Sequence, residues 1–121
     1  MTPTLLIALA GLMGAAGVIL RAAGAHAAPG AGLDGAGQML LFHAAAVIAT
    51  AAALYQDSLL SRPLAMAAAL GFIVGAALFS GDIAMRAFAG HRLFPFAAPT
   101  GGFVLIASWL ALTLAAVLWR W

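Results

Sequence analysis

The sequence predicts an all-α membrane protein, a compact bundle of four transmembrane helices with short loops. Three observations predict it. Of 121 residues, 66% are hydrophobic and only 7% charged, with a mean hydropathy of +1.15, whereas soluble domains run nearer half apolar and a quarter charged. The apolar residues gather into four stretches of about the length that crosses a hydrocarbon core of roughly 30 Å as a helix. Prolines stand at or near the ends of the stretches, and the first connection is rich in glycine, where the chain must reverse. A soluble fold this small could not hide so much apolar surface, because small domains keep a high ratio of surface to volume. Lipid as solvent removes the difficulty.

The first stretch covers about 4–25, the second 39–55, the third 63–85 and the fourth 101–119. Pro3, Pro29, Pro63, Pro95 and Pro99 mark boundaries, and a proline in a first turn removes only an N–H that would be unpaired there. The connections are a glycine-rich one (Pro29 to Gln38), a tight polar one (Gln56 to Arg62) and a longer aromatic one (Ala87 to Thr100). With no charge run or long linker, 1–121 reads as one domain. Ala25-His26-Ala27 fits a small-x-small cleavage pattern after an apolar run. No basic side chain precedes that run, however, and Arg21 interrupts it, so the first stretch reads as a retained helix.

Four crossings put both termini on one side, with Asp57, Arg62 and Arg120; Arg92 lies on the other, with Arg21 and Arg86 close to it. Lys and Arg near helix ends set orientation, and here the two sides nearly balance. Tyr55, Trp119 and Trp121 suit the headgroup region on the terminal side, Phe94 and Phe96 on the other. Cytoplasmic termini are the expectation.

Membrane helices gain little by moving apolar side chains from lipid into protein, so they associate through close packing of small residues. Gly14, Gly17 and Gly24 share a face of the first helix with Ala10 and Arg21. Gly71 and Gly75 share one of the third with Ala68, Phe79, Asp82 and Arg86. These glycines are the candidate packing positions. Topology gathers a second set: Arg21 and His26 at the end of the first helix, His43 about one turn into the second, and Asp82 and Arg86 at the end of the third. Charged groups within a span turn toward protein or water, so Arg21, His26, His43, Asp82 and Arg86 form a candidate polar cluster near one membrane face. An Asp82–Arg86 pair four residues apart, and arginines reaching for headgroups, would account for much of it without any ligand.

Several function classes are excluded as expectations. The formal charge is +2, from five Arg, no Lys and three Asp, with no basic run to bind nucleic acid. There is no cysteine, and no third ligand stands at metal-site spacing from the two histidines of the cluster. No nucleophile carries an activating motif and no glycine-rich phosphate cradle follows a strand. No catalytic residue, cofactor or metal is expected, and the chain does not read as an enzyme.

Gly24-Ala25-His26, Phe42-His43-Ala44, Leu78-Phe79-Ser80-Gly81-Asp82, Ala98-Pro99-Thr100-Gly101-Gly102 and Ser108-Trp109 occur in that order along the chain. In these pieces the sequence resembles the YgdD/YwdK family, small bacterial membrane proteins grouped under a domain of unknown function, with relatives in animals. The resemblance implies four helices and the cell inner membrane, and it supplies no activity. It departs at Arg21, where the family pattern is usually small. The expected function is a non-enzymatic membrane component that contacts lipid, another membrane protein or a second copy of itself as a homo-oligomer. The alternative is a small transporter or channel for protons, ions or a small solute, using His43, Asp82 and the arginines. A third expectation is binding of anionic headgroups by Arg21, Arg86 and Arg92.

Overall fold

The computed structural model describes residues 2–56 and 58–120. Asp57 and Trp121 lie outside them. Four α-helices follow one another: α1 (Pro3–His26), α2 (Leu33–Tyr55), α3 (Arg62–Ala89) and α4 (Ala97–Val117), with a single 3-10 turn over Leu118–Arg120. Each α-helix is long and apolar enough to cross a membrane, and no strand occurs among the described residues. The fold class agrees with the sequence.

The helix ends follow local chemistry. Thr2 caps α1 by accepting the Leu5 N–H through its hydroxyl at 3.2 Å, and Pro3 occupies the first turn. Gly90 ends α3 in the left-handed conformation, φ 77°, which glycine adopts without a Cβ clash. Hydropathy places the second helix at 39–55, whereas α2 starts six residues earlier at Leu33. Gly30 and Gly32, both with positive φ, turn the chain, and Asp34 sits in the first turn of α2, where its charge complements the helix dipole. Similarly, α4 begins at Ala97 rather than 101, carrying Pro99 in its first turn. The longer aromatic connection therefore shrinks to the residues between Gly90 and Phe96.

The topology is up-down-up-down. α2 and α3 form the central pair, α1 packs on α2, α4 packs on α3, and α1 and α4 do not approach each other. The core is made of small residues around a few large ones: Phe72, Leu6 and Val47 are fully buried, among Ala10, Ala51, Ala65, Ala68, Ala69 and Ala76.

The two hairpins are locked in the same way. A Cβ on Gly37 would fall 2.6 Å from the Gly17 carbonyl oxygen, and one on Gly101 would fall 2.6 Å from the Gly75 carbonyl oxygen. A Cβ on Gly17 would meet Leu41 Cγ at 2.8 Å, and one on Gly75 would meet Leu105 Cγ at the same distance. In each hairpin, a glycine pair brings two backbones together and a leucine one turn later fills the notch. Gly24 lies against Leu33 and Asp34, and Gly71 receives the Ser108 side chain. Gly14 is a correction: a Cβ there would meet nothing within 4 Å, because the crossing point of α1 and α2 lies one turn further on.

Candidate functional site: polar side chains in the bundle

The five residues that the sequence places in one layer separate into three groups. Asp82 and Arg86 remain together. Asp82, on the last third of α3, is 1% exposed. Its Oδ1 accepts the Leu93 N–H at 3.0 Å, and its Oδ2 lies 3.5 Å from an amino group of Arg86. One carboxylate thus fastens the α3–α4 loop to α3 and holds a guanidinium at the helix end. Such charge-assisted contacts are what a buried carboxylate requires.

Arg21 goes elsewhere. It lies 3.3 Å from Asp34, with both side chains substantially exposed, and its stem passes over Gly37, where a Cβ would meet Arg21 Cγ at 2.6 Å. Asp34 was missed from sequence because hydropathy leaves it in a loop, whereas the early start of α2 brings it beside the end of α1. His26 closes α1 in its last turn and is exposed.

His43 is the third group, and its depth is corrected. Ten residues separate it from the start of α2, about 15 Å at 1.5 Å per residue, so it lies near mid-helix. Its Nδ1 is 2.7 Å from the Met39 carbonyl oxygen, and Trp109 Nε1–H of α4 donates to its Nε2 at 3.2 Å. A carbonyl only accepts and an indole N–H only donates, so the proton must reside on Nδ1. Both ring nitrogens are then committed. Phe72 of α3 completes the arrangement, its ring centroid 5.7 Å from His43 and 4.7 Å from Trp109, within the range of favourable aromatic contact. A single aromatic layer therefore ties α2, α3 and α4 together, although the α2 and α4 backbones are not neighbours.

The buried hydroxyls are likewise engaged. Ser80 of α3 donates to the Ala36 carbonyl of α2 at 2.8 Å, a hydroxyl bond that crosses between helices. Thr50, Ser108 and Thr113 each donate to the carbonyl four residues back on their own helix. Among the described residues, no buried side-chain nitrogen or oxygen lacks a hydrogen-bond partner, which is what a low-dielectric surrounding demands. The arrangement therefore positions helices and a loop.

A family model described as "Protein of unknown function (DUF423)" matches residues 13–102. The match takes in both glycine crossings, His43, Asp82 and Arg86. Comparison with curated proteins and with solved structures finds no match. With three quarters of its length under that match, the glycine crossings and polar anchors included, this chain belongs to the DUF423 family.

Proposed function

We propose that this protein is a non-enzymatic membrane component that acts by contact, binding lipid or other membrane-embedded chains through its outer helices. The reading places it with the YgdD/YwdK proteins in the inner membrane of a bacterial cell, with both termini cytoplasmic. The observation that supports it is the inward commitment of the polar groups: His43, Thr50, Ser80, Asp82 and Ser108 are buried and each is bonded to a neighbour. What remains for contact is the apolar outside, where Leu12, Val18, Ile19, Phe103, Ile106 and Leu110 are exposed. Purification in mild detergent followed by mass measurement tests the reading. A second copy, another membrane protein or retained lipid is expected, and a strictly monomeric species carrying none of them would count decisively against it. Since the chain has no cysteine, single cysteines at Gln56 and His91 report orientation through their accessibility to an impermeant thiol reagent. Labelling of the His91 position from outside intact cells is the expected result.

Transport is the second reading, favoured by one observation, the buried Asp82 carboxylate beside Arg86. A proton or ion path needs polar groups that face one another along its length, and His43 is occupied by Met39 and Trp109 instead. Liposome flux compared between wild type and Asp82→Asn discriminates. Background flux in both removes this reading.

A further inference from the structure

The two hairpins use one packing motif twice. Laying Gly17 of α1 on Gly75 of α3, and Gly37 of α2 on Gly101 of α4, reproduces the close contacts. A Cβ on Gly37 would lie 2.6 Å from the Gly17 oxygen and 3.0 Å from the Arg21 nitrogen. One on Gly101 would lie 2.6 Å from both the Gly75 oxygen and the Phe79 nitrogen, and Phe79 is the counterpart of Arg21. Leu41 and Leu105, which fill the two notches, are counterparts as well. The correspondence runs along the helices: Ala10 matches Ala68, Ala44 matches Ser108 and Ala51 matches Ala115, every one of them buried. Because α1 and α3 run the same way, the hairpins are parallel repeats.

The repeats differ in what covers them. On α2 the stripe Ala36, Leu40, His43 and Val47 faces α3, where Ser80 bonds to Ala36 and Phe72 meets His43. Ala65, Ala69 and Ala76 share the α3 stripe with Phe72 and Ser80, and both stripes are buried throughout. Counterparts of the first stripe on α4 are Thr100, Val104, Ala107 and Ala111. Counterparts of the second on α1 are Ile7, Gly11, Gly14, Val18 and Ala22. None of these is buried. Each outer helix thus carries the face that its inner counterpart uses, without the helix that would cover it.

We infer that a second copy of this chain covers them: α4 of one copy docks on α1 of the next, as α2 docks on α3 within the chain. The repeat selects this occupant. The operation that carries the first hairpin onto the second, applied once more, sets the α1 of a new copy against α4 and so continues the α2–α3 interface. The side chains suit it. Gly14 falls opposite Ala107, in the place of Phe72 and His43, and a Cβ on Gly11 or Gly14 meets nothing within 4 Å in the single chain. Small residues on both stripes at one depth allow the close backbone approach by which membrane helices associate, and neither stripe carries a charge. The contact is heterologous, α4 on α1, so it recurs from copy to copy. It rests on the contact-binding reading above and names the partner and the surface.

Disulfide trapping in native membranes tests it, since the chain has no cysteine of its own. Two differently tagged copies, one Ala22→Cys and the other Thr100→Cys, are co-expressed and oxidised with copper phenanthroline. These positions correspond to Ser80 and Ala36, which are bonded within the chain. A band carrying both tags is expected. It should be about tenfold stronger than with Ala23→Cys in place of Ala22→Cys, because position 23 has the same depth but is turned about 100° around α1, and a disulfide forms only where Cα atoms approach within about 7 Å. Gly14→Leu adds bulk where the single chain has open space, so it should leave each copy folded and reduce the band about tenfold. Absence of the mixed band, equal yield from the Ala23→Cys pair, or a band unchanged by Gly14→Leu would each overturn the docking. Retained lipid or another membrane protein without the mixed band would overturn this partner and leave the proposed function standing, whereas a bare monomer would remove both.

Discussion

Replacing Gly101 with alanine should loosen α4 from α3, and the neighbouring glycine provides the control. A Cβ at Gly101 would lie 2.6 Å from both the Gly75 carbonyl oxygen and the Phe79 nitrogen, and 3.0 Å from Leu78 Cβ. Ordinary contact begins near 3.4 Å. The two closest atoms are backbone, so no rotamer change relieves the overlap and the helices themselves must move apart. Overpacking of this kind costs about 1–3 kcal/mol. Alanine also raises helix propensity by about 1 kcal/mol over glycine, which partly offsets the loss. At Gly102, in the same helix, a Cβ would meet nothing within 4 Å, so Gly102→Ala receives the propensity gain without the clash. The difference between the two variants isolates the packing effect, about 1–3 kcal/mol against Gly101→Ala. Reversible unfolding in mixed micelles of increasing sodium dodecyl sulfate, followed by tryptophan fluorescence, measures it. If Gly101→Ala were as stable as Gly102→Ala, the glycine crossing would not be what holds the second hairpin.

Three other perturbations probe the polar anchors. Trp109→Phe leaves the buried His43 Nε2 without its donor and should destabilise by about 1–3 kcal/mol; nitrogen-15 spectra of the wild-type imidazole should show the proton on Nδ1. Asp82→Ala removes the acceptor of the Leu93 amide and should speed its hydrogen exchange about tenfold, whereas Asp82→Asn, which keeps an oxygen there, should change it little. The exposed Arg21–Asp34 pair should couple by less than about 1 kcal/mol in a double-mutant cycle of Arg21→Gln with Asp34→Asn.

How much of the site was legible varies residue by residue. Asp82 and Arg86 were paired by spacing alone, because positions four apart on a helix are always neighbours. The Arg21–Asp34 pair was not, since it depends on where α2 begins, and the turn glycines set that point rather than the hydropathy average. Gly37 escaped notice for the same reason: it precedes the apolar stretch that defined the second helix. Trp109 stood out only as part of a resemblance, because its role depends on reaching past α3 to a histidine 66 residues away.

By itself, the sequence determined that four apolar helices cross and recross, because backbone polar groups in lipid must pair within each segment and the length of each stretch follows from bilayer thickness. Its small residues also announced close helix contacts. Which glycines make those contacts was decided only by the tertiary structure: a helix presents several small faces, and the crossing point selects one of them. The same holds for the polar side chains. Their partners depend on the relative rotation and height of neighbouring helices, which arise from the packing of all four together.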